Sequence, residues 1–440
     1  MKIHLIGIGG IGVSALAQYY LSQGHEVTGS DLTMSEITDY LQKLGVKITK
    51  NKSLPAKIPH KMPDLVVYSP AVKKTNPELA FYLKKKIKCL SYPEALGGLT
   101  KNYFTIAVSG AHGKSTTTAM LGLILIKAKL DPTIIVGTKL KEFGGANFRP
   151  GKSKYLVIEA CEYDSSFLHY VPQMVVVTNI DKEHLDYFKN LKNVIAAFMD
   201  FIARLPDSGA LVANGDDKNM QKILLDKKFQ AKSRFKISGF RIKSKEADIV
   251  KNILNVPGIH NVYNALAALT AAKELKIDDD VVLKSLSEYK GSWRRFEEKE
   301  KIINGKKIKI INDYGHHPTE IEATFEAARQ KYPDRKIWCV FQPHQHQRTF
   351  NLFNDFVKTF QSALIDNIVI IDIYDVAGRE TKKIKRKVSS KSLVKKINKK
   401  SVSYASMVLA EKKVKKNIKS GDVLIIMGAG DIYEKFASRF

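Results

Sequence analysis

The chain has 440 residues, of which 44% are hydrophobic, and a formal net charge of +28. This length predicts about three domains of ordinary size. Its apolar runs are all shorter than the about 20 residues that a membrane helix needs, so we expect no membrane insertion. Cys89, Cys161 and Cys339 are too far apart for a disulfide framework or a zinc motif, which indicates a cytoplasmic protein.

The positive charge has two interpretations. One is a basic nucleic-acid-binding NTPase, and the other is a surface of solvated lysines that helps to gather polyanionic substrates. The densest basic stretch, residues 381–400, has no aromatic residue among its lysines and so lacks a stacking platform for bases. We therefore expect no nucleic-acid partner.

Strand and helix patterns alternate at the start of the chain. The sequence predicts a strand at 3–6, a helix at 12–23, a strand at 25–30 and a buried strand within 64–72. Such alternation is typical of a parallel sheet with helical crossovers. We expect this domain to end at a linker over residues 100–102.

A glycine-rich loop follows the first predicted strand. Gly7, Gly9 and Gly12 fit the G-x-G-x-x-G pattern, and Asp31 follows at about the spacing of a ribose-binding acid. Glycines let the backbone approach a pyrophosphate at a helix N-terminus. Taken alone, this loop predicts a dinucleotide-dependent oxidoreductase, with a packing turn that binds no ligand as the alternative.

A second glycine loop, "SGAHGKST" at 109–116, lies between a predicted strand at 104–108 and a predicted helix at 116–127. Its lysine, Lys114, can pair with the β- and γ-phosphates of a nucleotide, and the Ser115 hydroxyl can bind Mg²⁺. The loop is shorter than the usual phosphate-binding motif because position 108 is Val. It predicts a nucleoside triphosphate site.

Acidic side chains follow two later strands and are candidate metal ligands. One strand ends at Glu159, with Glu162 close behind, and the other offers Asn179, Asp181, His184 and Asp186. Mg²⁺ prefers oxygen ligands, so a carboxylate or two with phosphate oxygens suffices. By residue type alone, His184 is more typical of a surface histidine.

The rest of the chain contains one ambiguous segment and a third α/β pattern. Residues 232–258 are charged and weakly periodic, which predicts short antiparallel strands, and 260–275 predicts an amphipathic helix. The third pattern consists of strands at 309–312, 337–341, 368–373 and 423–427 and a helix at 318–331.

Several motifs, in their order along the chain, resemble those of the Mur ligases. They are "GIGGIGVSALA", "GAHGKSTTTAM", "EACEYDSSFLH", "TNIDKEHLD", "GIHNVYNALAA", "NDYGHHPTEI" and "FQPHQHQRT", and the resemblance runs from residue 3 to residue 435. It implies an α/β fold of three domains: an N-terminal Rossmann-like UDP-sugar-binding domain at 1–100, a central P-loop ATPase-like domain with a parallel sheet at 101–291, and a C-terminal Rossmann-like amino-acid-binding domain at 292–440.

The resemblance is strongest to the branch of the family that joins L-alanine to UDP-N-acetylmuramic acid in peptidoglycan precursor synthesis. It implies that the first loop holds UDP instead of NAD and that the second holds ATP, with Mg²⁺. The muramoyl carboxylate attacks the γ-phosphate to give an acyl-phosphate, and the amine of L-alanine then displaces phosphate. An oxidoreductase would explain only the first loop.

The resemblance also implies roles for individual residues. The UDP-sugar site comprises Gly7, Gly9, Gly10, Gly12, Ser30, Asp31, Ser69 and Ala71. The ATP site comprises Gly110, His112, Gly113, Lys114, Ser115, Thr116, Asn261, Arg295 and Asp313. The metal ligands are Ser115, Glu159, Glu162 and His184. The amino-acid site comprises Tyr314, His316, His344 and Arg348, and the catalytic set is Lys114, His184, His316 and Arg348.

Two positions depart from the family pattern. Gln345 stands where the family usually has a second arginine, which leaves glycine or L-serine open as the added amino acid, and a recycling ligase that adds a peptide is a further alternative. Cys161 stands where an aspartate is usual. We prefer an amino-acid site to a zinc site at His316, His317, His344 and His346, and we expect a monomer or a weak dimer.

Overall fold

The computed structural model describes residues 1–50, 62–376, 380 and 382–440. These form two compact units, the first from Met1–Asp181, Lys192–Val250 and Asn264–Ser287, and the second from Lys182–Leu191, Lys251–Tyr263 and Glu288–Phe440. Within the described ranges, every helix is too short or too polar to cross a lipid bilayer.

The N-terminal sheet has five parallel strands in the order β3-β2-β1-β4-β5. The strands are β1 (Lys2–Ile6), β2 (Glu26–Asp31), β3 (Lys47–Lys50), β4 (Leu65–Tyr68) and β5 (Lys88–Ser91). The helices are α1 (Ile11–Ser22), α2 (Glu36–Lys43), α3 (Pro77–Lys84) and α4 (Tyr92–Thr100). The strand order reverses between β1 and β4, the position where ligands bind in such sheets.

Local sequence fixes where these helices begin. Asn76 accepts hydrogen bonds from the first amides of α3, and Pro77 takes the first helical position, where a missing N–H costs nothing. Ser91 and Glu94 form a capping box at α4. The linker predicted at 100–102 is only partly correct, because Thr100 is buried at the end of α4 and only the turn after it is exposed.

The central sheet has seven strands in the order β12-β11-β10-β6-β9-β7-β8, parallel except for the β7–β8 pair. The strands are β6 (Phe104–Ser109), β7 (Thr133–Leu140), β8 (Ala146–Arg149), β9 (Tyr155–Glu159), β10 (Met174–Val177), β11 (Ala210–Asn214) and β12 (Lys236–Phe240). The helices from α5 onward are α5 (Lys114–Lys127), α6 (Leu185–Phe188), α7 (Leu191–Ile202), α8 (Lys218–Leu224), α9 (Lys227–Lys232), α10 (Lys245–Ile253), α11 (Ile259–Glu274) and α12 (Asp279–Glu288).

The first unit holds both of these sheets, joined where α1 contacts β7 and β8. The amide of Gln18 on α1 donates to Asn147 Oδ1 on β8 over 2.7 Å, and the Asn147 amide donates back to the Ile11 carbonyl. Both side-chain amides are buried, so these hydrogen bonds satisfy polar groups that would otherwise destabilise the contact.

Two predictions for the middle of the chain are wrong. Residues 232–258 form one strand, β12, which runs parallel to β11, followed by the helix α10, instead of short antiparallel strands. β12 is an edge strand whose side chains are mostly exposed, and most charged residues of the segment lie after it, in the turn and in α10. The helix α11 is buried on most sides from Asn264 to Ala272, so it is a core helix and not an amphipathic one.

The C-terminal sheet has six strands in the order β13-β14-β18-β15-β16-β17, with only β13 antiparallel. The strands are β13 (Glu297–Ile303), β14 (Lys306–Asp313), β15 (Ile337–Phe341), β16 (Asn367–Ile370), β17 (Val402–Tyr404) and β18 (Val423–Met427). The helices are α13 (Pro318–Lys331), α14 (His346–Asn351), α15 (Phe353–Ser362), α16 (Lys382–Lys385), α17 (Ser390–Ile397), α18 (Met407–Asn417) and α19 (Ile432–Lys435).

Alternate residues of this sheet enter separate cores on its two faces. On β15, Cys339 and Phe341 lie in one core, while Trp338 and Val340 lie in the other. A parallel sheet covered on both faces gives continuous apolar strands, which is why this strand was predictable. The sheet confirms the α/β character expected of the third domain.

Candidate functional site

The first glycine loop connects β1 to α1 at the point where the strand order reverses. Gly7 has φ +76°, a conformation that favours glycine, and a Cβ there would lie 2.9 Å from Ser69 Cβ. The Asp31 carboxylate accepts a hydrogen bond from the Gly9 amide over 2.8 Å. The loop and Asp31 therefore lie together, as the glycine pattern predicts, and Asp31 also holds the loop in shape.

Three further residues predicted for the UDP-sugar lie at this end of the sheet. Ser69 and Ala71 follow β4, the neighbour of β1, and the Ala71 amide donates to Ser69 Oγ over 3.3 Å. Ser30 is buried, and its hydroxyl donates to Glu78 Oε2 over 2.5 Å. Glu78 in turn pairs with His4 over 2.9 Å. Ser30 thus already has a partner inside the domain.

A cavity of about 280 Å³ lies in the first unit beside α1 and α2. Gln18, Asn147 and Tyr40 line it, and Lys139 Nζ pairs with Glu36 across 2.9 Å at its wall. Sequence reasoning missed this cavity, because its lining comes from α1, α2 and the β7–β8 region, which are far apart in the sequence and form no local motif.

The second glycine loop connects β6, in the middle of the central sheet, to α5. Gly113 has φ +83°, and a Cβ there would lie 2.1 Å from Asn264 Oδ1, so no larger residue fits. Asn264 Oδ1 also faces Thr117 Oγ1 at 3.3 Å. The helix begins at Lys114, earlier than predicted, which places the first amides of α5 at the loop, where they can bind an anion.

Lys114 of this loop is held beside Glu162. Its Nζ lies 3.0 Å from Glu162 Oε2 and donates to the Gly110 and Ala111 carbonyls. Burial lowers the pKa of Lys114, but Glu162, Cys161 and Glu159 raise it by more, so that the net pKa lies above its usual value. The lysine is therefore a fixed cation at the loop, as phosphate binding requires.

Ser115 and Glu159 supply adjacent oxygens. Ser115 Oγ donates to Glu159 Oε2 over 2.7 Å, and the Gly137 amide donates to the same oxygen over 2.8 Å. A hydroxyl next to a carboxylate is an oxygen donor set that suits Mg²⁺. Burial, with Glu162, raises the pKa of Cys161 to about 12, so the thiol is neutral and adds no charge to the acidic group.

The end of β10 anchors His112 of the loop. Asn179 accepts from the His112 amide over 2.9 Å, and both Asn179 and Thr178 donate to the His112 carbonyl over 3.0 and 2.6 Å. His112 Nε2 lies 3.3 Å from Asp181 Oδ2. Asn179 and Asp181, which were candidate metal ligands, thus contact the loop itself.

Asn261 lies in the first turn of α11. Its amide donates to the Pro257 carbonyl over 2.7 Å, and the side chain is buried. The ATP-binding role expected of Asn261 is not tested by these contacts and stays a prediction.

Asp313 and Arg295 lie at the carboxyl end of β14 in the second unit. Asp313 is buried and accepts from the Phe296 amide over 2.8 Å and the Gly315 amide over 2.7 Å; burial raises the pKa of this carboxyl. Arg295 lies over the Tyr314 ring at 5.1 Å and pairs with Glu320 at 3.9 Å. These two predicted ATP residues and the predicted amino-acid residue Tyr314 therefore adjoin one another.

Arg348 forms a buried ion pair that the sequence did not reveal. Its Nη2 donates to Glu183 Oε1 over 2.6 Å, and its Nη1 lies 3.1 Å from His344 Nδ1. Burial raises the pKa of Glu183, but Arg348, followed by His184, His317 and His316, lowers it by more, so the pKa lies well below its usual range. Glu183 is therefore ionised at neutral pH.

His316 is near this pair and is neutral at physiological pH. Its Nδ1 lies 3.1 Å from the Tyr314 carbonyl and 3.4 Å from Glu320, and its ring is 5.9 Å from that of His344. Burial lowers the pKa of His316 to about 4. A neutral ring can accept a proton, but so low a pKa makes His316 a weak base.

Two functional candidates have strained backbones. His184, directly before α6, has φ +54°, and Gln345, before α14, has φ +70° with ψ +130°. Side chains rarely adopt these conformations, and such strain is concentrated at functional sites. His184 lies in the second unit with Glu183, while Lys114, Ser115, Glu159 and Glu162 lie in the first.

His346 is separate from the other histidines of its segment. Its Nδ1 lies 3.1 Å from Glu380, and that carboxylate also accepts from the Gln347 amide over 2.7 Å. His344 instead stacks on Tyr374, with ring centroids 5.5 Å apart. His344 and His346 therefore contact different neighbours. This arrangement does not favour a zinc site shared by the two histidines.

Comparisons with known proteins place this architecture in a family. Three family models match successive parts of the chain: the Mur ligase catalytic domain at 2–104, the Mur ligase middle domain at 108–272, and the Mur ligase glutamate ligase domain at 294–430. The chain is 40% identical to the UDP-N-acetylmuramate–L-alanine ligase of Clostridium acetobutylicum, over 98% of this chain and 96% of that protein. It is 42% identical to the enzyme of the same name from Acetivibrio thermocellus, over 98% and 94%.

Solved structures agree. The UDP-N-acetylmuramate–alanine ligase MurC of Thermotoga maritima aligns over 100% of this chain and 99% of its own, with TM-score 0.78 and 28% identity. A murein peptide ligase of Psychrobacter arcticus shares the fold, with TM-score 0.73, 24% identity and coverage of 100% and 98%. With relatives at this identity over nearly its whole length, the chain belongs to the Mur ligase family.

Proposed function

We propose that the chain is an ATP-dependent ligase that joins L-alanine to the carboxylate of UDP-N-acetylmuramic acid, in peptidoglycan precursor synthesis. The observation that carries this proposal is the identity of 40–42% over 98% of the chain to ligases of that name. The glycine loop with a fixed lysine supports ATP as the phosphoryl donor, since phosphoryl transfer depends on positioning and charge neutralisation.

Each of the three sheets belongs to a domain that we propose to bind one substrate. In this proposal the N-terminal domain, residues 1–100, binds the UDP-sugar through the loop at Gly7 and the residues after β4. The central domain, 101–291, binds ATP at the loop of Lys114. The C-terminal domain, 292–440, binds the amino acid near Arg348. The muramoyl carboxylate takes the γ-phosphoryl group, and the amine then attacks the acyl-phosphate to give the amide, with ADP and phosphate released.

A divalent cation fits the oxygens beside the second loop. Ser115 Oγ and Glu159 Oε2 lie 2.7 Å apart and are the residues that we propose to hold Mg²⁺. Glu162 is better assigned to Lys114, which its carboxylate contacts at 3.0 Å. When bound, Mg²⁺ supplies charge neutralisation at the phosphates. His184, the other proposed metal ligand, lies on a strained backbone next to Glu183.

The proposed setting is the cytoplasm, where ATP is available, which agrees with three free cysteines.

The test is phosphate release from ATP and UDP-N-acetylmuramic acid against a panel of L-alanine, glycine, L-serine and a short muropeptide-type peptide. We expect L-alanine to give the largest kcat/KM. Preference for glycine or L-serine would assign a different substrate to the site at Gln345, and preference for the peptide would favour a recycling ligase.

A further inference from the structure

The ion pair between Glu183 and Arg348 leaves one buried oxygen without a donor. Glu183 is 4% exposed and its Oε1 accepts from Arg348 Nη2 over 2.6 Å. No described residue donates a hydrogen bond to Oε2, and the nearest cationic candidate, His317 Nε2, is 3.8 Å away. Buried carboxylate oxygens are normally satisfied, so this oxygen points to a missing donor.

The guanidinium of Arg348 also retains donors. In the described part of the chain its Nη2 contacts Glu183 and its Nη1 contacts His344, whereas its Nε–H has no acceptor. Arginine has five N–H donors in a planar fork that matches a carboxylate. A second carboxylate can therefore bind Arg348.

Both side chains line one narrow pocket, together with His184, Gln345 and Leu352. The pocket has a volume of about 10 Å³, which is the space of about one water molecule. Within it the internal ion pair holds the two charged groups 2.6 Å apart. A ligand that carries both charges can separate them without leaving either one unpaired.

We propose that Glu183 and Arg348 together bind the zwitterion of the amino-acid substrate, Glu183 holding its ammonium group and Arg348 its carboxylate. This inference rests on the proposed function and adds Glu183 as a substrate-binding residue. On binding, one internal ion pair is exchanged for two, so no buried charge loses its partner, which is the outcome that makes buried charges tolerable. The ammonium group, with three donors, satisfies Oε2.

The arrangement selects for the amino-acid class. A molecule with a carboxylate but no ammonium group leaves Glu183 unsatisfied and must still displace it from Arg348. A molecule with an amine but no carboxylate leaves Arg348 without a partner when Glu183 turns to the amine. Sites built to hydrogen-bond a polar group reject analogues that lack it, because their own buried groups are left unpaired.

The experiment compares L-alanine with propionate, which has the carboxylate alone, in the wild type and in Glu183→Gln. With Mg-ATP and UDP-N-acetylmuramic acid present, the KM for L-alanine and the inhibition constant for propionate are measured; calorimetry without ATP gives both affinities in the absence of turnover. In Glu183→Gln we expect the KM for L-alanine to rise by about 10- to 100-fold relative to the wild type, because one charge-assisted hydrogen bond is lost. Propionate should bind to Glu183→Gln as well as or more tightly than to the wild type, since Arg348 is released from its internal partner.

Glu298→Gln is the matched control, because it makes the same change in a pair with Lys331, 2.6 Å apart, outside the pocket. Glu183→Asp keeps the charge and should keep the preference for L-alanine over propionate, which tests the idea if Glu183→Gln does not fold. Equal weakening of both ligands would show that Glu183 only positions Arg348 and would overturn the proposal. A wild type that forms no ADP with any amino acid would contradict the proposed function instead.

Discussion

Nη2 of Arg348 lies 2.6 Å from Oε1 of Glu183, although the two residues are 165 positions apart in the sequence. The pair is buried and belongs to the second compact unit, which takes in Lys182–Leu191 although these residues follow β10 of the central sheet. Glu183 directly precedes His184, so a proposed amino-acid ligand and a proposed metal ligand are fixed by the same short segment.

Removing the guanidinium is expected to weaken amino-acid binding. Arg348→Ala should chiefly raise the KM for L-alanine and change kcat less, as the loss of uniform binding does. The variant also leaves Glu183 buried without its cation, so we expect the free energy of unfolding to fall by about 3–5 kcal/mol. Steady-state kinetics and urea unfolding measure both effects. An unchanged KM refutes the role assigned to Arg348.

Lys114→Ala is expected to abolish phosphate release and to spare binding of UDP-N-acetylmuramic acid. The reason is that Lys114 lies at the loop after β6, whereas the first glycine loop lies after β1 in another sheet. Isothermal calorimetry of the nucleotide sugar and a phosphate assay check the two halves. Lys101→Ala, at an exposed lysine, is the control. Simultaneous loss of sugar binding would mean that the two sites are wrongly assigned.

The two glutamates near the second loop should behave differently. Glu159→Gln is expected to raise the Mg²⁺ concentration needed for half-maximal activity, because Glu159 shares its oxygen with Ser115. Glu162→Gln should lower kcat with little change in the Mg²⁺ requirement, because Glu162 contacts Lys114. Magnesium titrations of phosphate release separate these outcomes. Identical shifts in both variants contradict the division of roles.

His316 is expected to make the fold sensitive to mild acid. The pKa of His316 is about 4 in the folded state, and its ordinary value is 6.5. At a pH between these two values, the unfolded chain binds a proton that the folded chain does not. The free energy of unfolding therefore falls as the pH falls through this window, by about 2 kcal/mol from His316 between about pH 7 and about pH 5. In His316→Asn the free energy of unfolding should fall by about 2 kcal/mol less than in the wild type over the same pH range. Urea unfolding at both pH values measures this difference.

Two histidines serve as references for that measurement. His260 also has a pKa lowered to about 4 by burial, so part of the acid sensitivity should survive in His316→Asn. Exposed His169 provides the matched control, and His169→Asn should behave as the wild type. An acid response in His316→Asn equal to that of the wild type contradicts the buried, neutral state of His316.

The strained backbone at Gln345 predicts a stabilising substitution. Gln345→Gly should raise the free energy of unfolding by about 1 kcal/mol, because glycine adopts φ +70° without strain. This gain is larger than the cost of the greater conformational entropy that glycine gives the unfolded chain. Gln345→Ala removes the amide but keeps the strain, and so is the control. Equal stabilities of the two variants, measured by urea unfolding, would show that the strain is absent.

Features with a local backbone requirement were predictable from the sequence. The loop at Gly113 was found because a left-handed glycine, a lysine and a hydroxyl must follow a buried strand at fixed spacing. Apolar strands such as β15 were found for a similar reason, since a strand covered on both faces is apolar throughout. Their helices and strands were placed to within a few residues.

Features set by tertiary packing were not predictable. Glu183 carries no local signal, since its partner Arg348 is 165 residues away, and the contact of Asn264 with Gly113 arises only when α11 packs against the loop. The strand β13 was missed because it is an edge strand of mostly exposed, charged residues, and so lacks the hydrophobic period that identifies strands. β12 is also an edge strand with mostly exposed side chains, so it too lacks that period.

The most direct test of the account is the product formed from Mg-ATP, UDP-N-acetylmuramic acid and L-alanine. We predict that mass spectrometry will detect the nucleotide sugar with one alanine added through an amide, together with ADP and phosphate in equal amounts, and only when all three substrates are present. Formation of ADP without the amide, or no ADP with any small amino acid, contradicts the account.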